Sequence, residues 1–219
     1  MSPIRRRHGE DEVHHPLFAR LYIRLTESRS DDEEEHRARL LAGLSGRVIE
    51  VGAGHGLNFA LYPPAVTELL AVEPEPLLRE RAIQAAAESP LEIEVMPGVA
   101  DRLPAEDDAF DAAVASLVLC SVPDQQSALA ELRRVLRPGG ELRFYEHVVS
   151  NRPGWRRFMR LSDATWWPRV SGGCHLGRDT APAIEAAGFE IESIDRFRFG
   201  PGKRPLIPHI LGTARSRIA

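Results

Sequence analysis

The feature that most constrains this chain is a short apolar segment that runs into three glycines at alternate positions. Residues 47–51 read Arg-Val-Ile-Glu-Val, and Gly52, Gly54 and Gly56 follow them. Glycines here let the backbone turn sharply at the end of a strand and remove side chains that would keep a flat ligand away. The spacing is G-x-G-x-G, which differs from the dinucleotide pattern G-x-G-x-x-G. The segment therefore predicts a ligand-binding loop at the carboxyl end of a strand.

Apolar segments and helical patterns alternate along the rest of the chain, which is typical of an α/β fold. The segment 110–116 is apolar nearly throughout, as expected of a parallel strand covered on both faces. We predict strands at 47–51, 69–72, 91–96, 110–116 and 141–148, with two late strands near 189–199 and 209–215. We predict helices at 16–26, from 31 onward, at 76–87 and at 123–136.

Length, charge and cysteine usage limit the class of protein. A chain of 219 residues fits one α/β domain, and its net charge of −4 argues against a general nucleic-acid binder. Two cysteines provide no disulfide framework, so we expect the reducing cytoplasm. No apolar run is long enough to span a bilayer, and residues 1–12 are rich in charge, so we expect no integral membrane segment. The oligomeric state stays open.

A series of motifs in a fixed order carries a family resemblance from Arg47 to Val148. After the glycine loop come the segments 98–104 (GVADRLP), 110–111 (FD), 116–122 (SLVLCSV) and 132–140 (LRRVLRPGG). In this order they resemble the type 11 S-adenosylmethionine-dependent methyltransferases. The resemblance implies a Rossmann-like, seven-stranded, mostly parallel sheet with helices on both faces and an antiparallel last strand. It also implies S-adenosyl-L-methionine as the cofactor.

A narrower resemblance extends over most of the chain. Segments 59–64, 117–122, 146–148, 173–178 and 208–212 are similar to the methyltransferase-like family of small thiol methyltransferases. This implies a small, fairly apolar methyl acceptor, with sulfur the favoured acceptor atom. Animal members of that family begin with a hydrophobic anchor, whereas this chain begins with arginines and acids.

The resemblance divides the chain into parts of one methyltransferase domain, 1–219. We expect an N-terminal helical cap at 1–45, a cofactor-binding core at 46–148, a helical substrate cover at 149–188 and C-terminal strands at 189–219. Trp155, Phe158, Trp166 and Trp167 fall in the cover, where they either line an apolar pocket or serve ordinary packing.

The same resemblance assigns cofactor contacts to residues of the core. The loop would approach the methionine portion, Glu50 would face its amino group, and Glu73 would accept bonds from both ribose hydroxyls. Many relatives carry Asp at the position of Val99, so the backbone at Ala100 or the neighbouring Asp101 would meet the adenine amino group. The expected cofactor residues are Glu50, Gly52, Ala53, Gly54, Gly56, Glu73, Pro74, Val99, Ala100, Ser116 and Leu117, with Leu103 at the border of the adenine.

Each carboxylate also has a purely structural interpretation. Glu50 could cap amides of the glycine loop, and Glu73 could pair with a nearby arginine.

His147 is the candidate catalytic residue because it lies at the carboxyl end of the fifth strand, at the expected active-site edge. It would act as a base or orient the acceptor, unless it is a structural histidine. Cys120 and Cys174 are predicted to be small buried hydrophobic residues. We expect no metal site: His14 and His15 are adjacent, and adjacent residues do not share a helix face.

The sequence leaves two further functions open and disfavours a third. One is methylation of oxygen, nitrogen or carbon in a lipid, a quinone-like molecule or a secondary metabolite. Another is a non-catalytic module that binds S-adenosylmethionine. A dinucleotide-dependent dehydrogenase is disfavoured by the glycine spacing and by the Pro-Gly-Gly before the fifth strand.

Overall fold

A seven-stranded sheet forms the centre of the molecule in the computed structural model, which describes residues 13–26, 31–200 and 206–217. The strand order is β3-β2-β1-β4-β5-β7-β6. The first five strands pair in parallel, and β7 runs antiparallel to both β5 and β6. The expected mostly parallel sheet with an antiparallel last strand is confirmed. The strands are β1 (Gly46–Val51), β2 (Val66–Val72), β3 (Ile93–Met96), β4 (Phe110–Ser116), β5 (Leu136–His147), β6 (Phe189–Phe199) and β7 (Ile207–Ser216).

Helix α3 (Pro76–Ala87) connects β2 to β3, helix α4 (Gln125–Val135) connects β4 to β5, and helices cover both faces of the sheet. The helix α3 begins at a proline, and the buried Glu75 side chain caps it by accepting the N–H of Leu78 at 2.8 Å. A single 3-10 turn, Phe59–Leu61, follows the glycine loop and ends before two prolines. The helices are α1 (Pro16–Thr26), α2 (Asp31–Leu41), α3 (Pro76–Ala87), α4 (Gln125–Val135), α5 (Pro153–Thr165), α6 (Trp167–Val170) and α7 (Thr180–Ala186).

The boundaries of several elements differ from the sequence prediction, and two of these differences have a clear physical cause. Helix α4 begins at Gln125 rather than at 123, because the Asp124 carboxylate accepts the N–H groups of residues 126 and 127 as an N-cap. Strand β5 begins at Leu136, five residues before the predicted start. Leu136 already pairs with Phe110, and an irregularity in the register accommodates the Pro-Gly-Gly segment, in which Gly139 has φ +75°.

The core lies on both faces of the sheet and fixes its carboxyl edge. One group of buried side chains packs under α4 and α7, and the other packs under α2 and α3. The carboxyl ends of parallel strands meet at one edge, so the segments that follow β1, β2, β3, β4 and β5 converge there.

The structure describes only part of the expected cap and C-terminal region. Residues 1–12 and 27–30 of the cap, and 201–205 and 218–219 of the last region, lie outside the described residues. The division into cap, core, cover and C-terminal strands stays a prediction. None of the helices within the described ranges has the length and apolar character needed to cross a membrane.

Candidate active site

The glycine loop continues β1 and remains bonded to β2. The N–H groups of Gly52 and Ala53 donate to the carbonyl of Val72 at 2.8 and 3.1 Å. All three glycines have positive φ, +66° for Gly52, +59° for Gly54 and +85° for Gly56. This left-handed backbone is the reason that the loop needs glycine.

The three glycines serve different purposes. A Cβ at Gly52 would lie 2.4 Å from a methyl of Val118, and one at Gly56 would lie 2.8 Å from the Phe59 ring. These two glycines are therefore required by packing. A Cβ at Gly54 would meet nothing closer than the Tyr22 ring at 3.6 Å, an ordinary van der Waals contact, so packing leaves room at this glycine. The approach of a ligand to the backbone at this glycine stays a prediction.

Glu73 begins the loop after β2 and bridges it to the glycine loop. Its side chain is 5% exposed, and its two oxygens accept the N–H groups of Gly54 at 2.8 Å and Glu75 at 2.9 Å. Arg79 donates instead to the main-chain carbonyls of Glu73 and Pro74. Backbone N–H groups rather than an arginine fork therefore hold the carboxylate. Burial raises the pKa of Glu73 to about 7, against the opposing effect of the two N–H donors.

Glu50 lies at the buried end of β1 and binds side chains rather than loop amides. Its oxygens accept the Nδ2–H of Asn58 at 2.6 Å and the hydroxyl of Tyr62 at 3.0 Å. The interpretation of Glu50 as a cap for loop amides is therefore wrong, and Glu73 caps the Gly54 amide instead. Burial raises the pKa of Glu50 to about 7, because the two donors compensate only part of the lost hydration.

A buried arginine from α2 completes this polar network. Arg37 is 3% exposed, and its guanidinium donates to Asn58 Oδ1 at 3.0 Å, to Ser116 Oγ at 3.4 Å and to Glu33 at 3.2 Å. Its Nε has no partner among the described residues. The network places a cation between the ends of β1 and β4.

The loop after β4 is fixed by a second buried carboxylate. Glu146, which is fully buried in β5, accepts the N–H groups of Val118, Leu119 and Cys120 at 2.9–3.0 Å. Leu117 adopts a left-handed φ of +61° and donates its N–H to the carbonyl of residue 145. Burial raises the pKa of Glu146, and the three N–H donors oppose that shift. This carboxylate preorganises the segment from Ser116 to Cys120.

The expected adenine segment forms a tight turn after β3. Val99 and Arg102 form an isolated bridge, with the Arg102 N–H donating to the Val99 carbonyl at 3.1 Å. Val99 and Ala100 are partly exposed at the sheet edge, whereas Leu103 is 4% exposed and belongs to the core. The turn keeps Val99 and Ala100 available to a ligand, and their contact with adenine stays a prediction.

His147 lies at the end of β5 and meets two cysteines there. Its Nδ1 is 3.3 Å from the Cys174 sulfur and 3.9 Å from the Cys120 sulfur, and the sulfurs are 3.8 Å apart. Both cysteines are buried, as the sequence predicts, but they form a polar cluster with the histidine. We call Cys120, His147 and Cys174 the thiol–imidazole cluster.

Contact among the three side chains of this cluster shifts their pKa values in different directions. Hydrogen bonding with Cys174 and burial raise the pKa of Cys120, whereas the bond with Cys120 lowers the pKa of Cys174. The pKa of His147 is raised, since contact with Cys120 outweighs the effect of burial. The neighbouring His209, with its ring centroid 4.6 Å from that of His147, has a pKa lowered to about 3 by burial and by His147. It is therefore neutral.

The aromatic residues of the expected cover do not enclose a pocket by themselves. Phe158 and Trp166 are 49% and 50% exposed. Trp155 stacks on Phe158 with ring centroids 4.9 Å apart, and Trp167 meets Trp166 edge to face. The choice between a substrate wall and ordinary packing stays open for this group.

Sequence reasoning missed several members of the site. Asn58 and Tyr62 follow Glu50 by eight and twelve residues, and polar side chains just after a glycine loop were the available signal. Arg37 comes from a helix whose other residues are mostly charged, so the buried arginine had no distinguishing pattern. The cluster of Cys120, His147 and Cys174 joins residues up to 54 positions apart, which only the fold brings together.

Comparison with known proteins identifies relatives of this chain. The family called "Methyltransferase domain" matches residues 49–144. Human Thiol S-methyltransferase TMT1B is 36% identical over 180 residues, which cover 80% of this chain and 73% of that protein. Human Thiol S-methyltransferase TMT1A is 34% identical over 178 residues, covering 79% and 72%.

Among solved structures, a methyltransferase from Thermotoga maritima, described as dependent on S-adenosylmethionine, superimposes with a TM-score of 0.67. It is 20% identical, and the match covers 92% of this chain and 99% of that one. At that identity the likeness concerns the fold.

Proposed function

The chain belongs to the S-adenosylmethionine-dependent methyltransferase family that includes human TMT1B and TMT1A, and we propose that its methyl acceptor is a small, apolar thiol. The relatives are named for thiol S-methylation, and the present chain is 36% and 34% identical to them over most of its length. The cofactor of the family is S-adenosyl-L-methionine.

The proposed cofactor site rests mainly on one observation, the hydrogen bond that the Glu73 carboxylate accepts from the Gly54 amide. The pairing fixes a buried carboxylate at the end of β2 directly beside a glycine whose Cα is not crowded by neighbouring atoms. A carboxylate at this position suits a ribose diol, and an open glycine suits the approach of a ligand to the backbone. The residues present therefore fit the cofactor.

The remaining contacts to the cofactor are assigned from the position and the charge of the residues around the glycine loop. When bound, S-adenosylmethionine supplies a methyl group activated by a positively charged sulfur. We propose that Gly52, Ala53, Gly54 and Gly56 border its methionine portion, with Ser116 and Leu117 on the opposite side. Arg37 is a buried cation suited to the cofactor carboxylate, and we propose that Glu50, which is bonded to Asn58, would bind the amino group. Pro74, Val99 and Ala100 complete the adenosine side.

Methylation of a thiol requires little from the protein beyond alignment of the thiolate with the methyl group. Part of a thiol ionises near neutral pH, and the thiolate is a strong nucleophile without a dedicated base. Holding it in line with the methyl group supplies much of the acceleration. We propose that His147, at the partly exposed end of β5, borders the acceptor and orients it. The cytoplasm remains the compartment that we expect, because the chain has only two cysteines.

A matched panel of acceptors tests this proposal. Thiophenol, phenol and aniline share one ring and differ in the nucleophilic atom, so they isolate acceptor chemistry from shape. Each is incubated with the protein and methyl-labelled S-adenosylmethionine, and labelled products are separated. We expect labelled methyl phenyl sulfide and at least tenfold less product from phenol and aniline.

Three outcomes would argue against the proposal in different ways. Product from phenol or aniline without product from any thiol would assign an oxygen or nitrogen acceptor. Cofactor binding without transfer to any member would favour a non-catalytic binding module. Lack of cofactor binding would refute the assignment of the glycine loop.

A further inference from the structure

We propose that the thiol–imidazole cluster is a zinc site, in which Cys120, Cys174 and His147 Nδ1 bind one Zn²⁺ and the fourth position accepts a substrate thiolate. Within residues 13–26, 31–200 and 206–217, this is the group of His, Cys, Asp or Glu side chains that lies close enough to hold a metal ion. Zinc binding rests on the cluster alone, whereas the thiolate role rests on the proposed function.

The distances between the three ligand atoms match those of a tetrahedral zinc ion. With Zn–S of about 2.3 Å and Zn–N of about 2.0 Å, tetrahedral angles place two sulfurs about 3.8 Å apart and sulfur and nitrogen about 3.5 Å apart. The sulfurs here are 3.8 Å apart, and Nδ1 lies 3.3 and 3.9 Å from them. One ion can therefore contact all three atoms with little movement of the side chains.

The ligand set has the composition and number of a catalytic zinc site. Structural zinc sites usually have four protein ligands, whereas catalytic sites have three, and two cysteines with one histidine are a known catalytic set. Thiolate and imidazole also disfavour hard ions such as Mg²⁺ and Ca²⁺. The cluster therefore favours zinc with one position left for an exogenous ligand.

Backbone contacts hold both cysteines in place before any ion binds. The Cys120 N–H donates to Glu146 at 3.0 Å, and the Cys120 carbonyl accepts the N–H of His175 at 2.8 Å. That second bond joins the loop after β4 directly to the segment carrying Cys174. Asp163 fixes the same segment by accepting two further backbone N–H groups, from residues 176 and 177. Such support around the ligands is what a metal site requires.

A buried donor beside Cys174 also fits a thiolate. The indole N–H of Trp167 forms no well-aligned hydrogen bond with any described residue. It lies within interaction range of the Cys174 sulfur. A zinc-bound thiolate at Cys174 would give this N–H an acceptor.

The fourth position lies on the side from which an acceptor would come. His147 follows Glu146 at the carboxyl end of β5, and Cys120 is three residues after Leu117, which is expected to border the cofactor. His147 is partly exposed, whereas both cysteines are buried. The ion would therefore be open towards the site edge and closed towards the core.

Binding of Zn²⁺ and then of the acceptor thiolate requires no further reactant. Binding of Zn²⁺ releases the S–H protons of Cys120 and Cys174 to solvent. An acceptor thiol then loses its own proton to solvent and forms a Zn–S bond as a thiolate. Zinc in this role lowers the pKa of the bound group, as it does for water, and orients it. No electron is transferred at any step.

Metal analysis of the full-length chain tests the site independently of methyl transfer. The protein is purified without chelators, and its zinc content is measured by mass spectrometry. The metal-free protein is then titrated with Zn²⁺ against a chromogenic chelator and with Co²⁺, whose thiolate charge-transfer absorption reports sulfur ligation. Cys174→Ser and His147→Ala remove ligands, and His175→Gln is the matched control, since this histidine neighbours Cys174 without belonging to the cluster. Circular dichroism and thermal melting show that each variant is folded.

We expect one zinc ion per chain in the wild type and in His175→Gln. Zinc affinity should fall at least about 100-fold in folded Cys174→Ser, because loss of a ligand costs no less than loss of a supporting group. Thiophenol added to the Co²⁺ form, without cofactor, should shift the charge-transfer band, whereas phenol should not. Absence of zinc binding, or unchanged binding in Cys174→Ser, would overturn the site.

Two outcomes would replace the proposal by another interpretation. A Cys120–Cys174 disulfide on mild oxidation, with no zinc bound by the reduced chain, would make the pair a redox element. Zinc binding with no spectral response to thiophenol would overturn the substrate role. Either result is distinguishable from failure of the proposed function, because the acceptor panel measures methyl transfer directly.

Discussion

Replacing Gly54 by alanine should weaken cofactor binding with little other damage. The new methyl group would meet nothing closer than the Tyr22 ring at 3.6 Å, an ordinary contact, so the protein has room for it. The φ of +59° should cost about 1–2 kcal/mol of folding stability, as for any side chain in this region. If the cofactor contacts this backbone, the methyl group also overpacks the ligand by about 1–3 kcal/mol, which is about 5- to 150-fold in affinity.

Gly43 is the matched control for backbone strain. It has φ +79°, and a Cβ there would lie 3.9 Å from its nearest neighbour, the Arg143 side chain, at the end of α2. Gly43→Ala should therefore lose similar stability and keep its affinity. Isothermal titration calorimetry with S-adenosylhomocysteine gives the affinities, and urea unfolding gives the stabilities. Equal affinities for the two variants would refute the placement of the ligand at Gly54.

Three further substitutions probe the site. Glu73→Ala should weaken S-adenosylhomocysteine binding by about tenfold or more in calorimetry, because bonds to a charged acceptor contribute about 1.5–3 kcal/mol each; unchanged affinity would remove this residue from the site. His147→Ala should slow turnover of a thiol about tenfold, less than the about 10²–10⁴-fold typical of a general base, because the thiol is already partly ionised, while cofactor affinity stays within about twofold; a parallel loss of affinity would indicate a structural histidine. Glu50 has a folded-state pKa of about 7, above its unfolded value of 4.5, so its contribution to stability is full below pH 4.5 and is lost as pH rises through 7. Relative to Glu50→Gln, the wild type should therefore lose up to about 3 kcal/mol of unfolding free energy between pH 4.5 and 8 in urea titrations, and a constant difference would contradict the shifted pKa.

The sequence predicts the parallel part of the fold well because its signals are local. Residues 47–56 combine an apolar strand with a glycine turn, and both properties act within a few residues. The sequence places the start of β5 too late, because Pro-Gly-Gly normally ends a secondary-structure element. In the structure, pairing of Leu136 with Phe110 extends the strand through the Pro-Gly-Gly segment. Tertiary pairing overrides the local signal at this point.

The candidate site is less predictable because its partners come from distant segments. The sequence predicts the position of Glu73 at the end of a strand, but it does not predict the hydrogen bond from the Gly54 amide to this carboxylate. Arg37 reaches the site from α2, 21 residues from Asn58 and 79 from Ser116. The sequence likewise assigns Cys120 and Cys174 separately to the core, and only the packing of the 174–177 segment against the loop after β4 joins them to His147.

The most direct test of the central claim is a crystal structure of the protein with S-adenosylhomocysteine and thiophenol. We predict that both ribose hydroxyls lie within hydrogen-bond distance of the Glu73 carboxylate and that the methionine portion lies against Gly54. The thiophenol sulfur should lie between the cofactor sulfur and the thiol–imidazole cluster. A nucleoside bound away from Glu73, or a thiol bound away from the end of β5, would contradict the account.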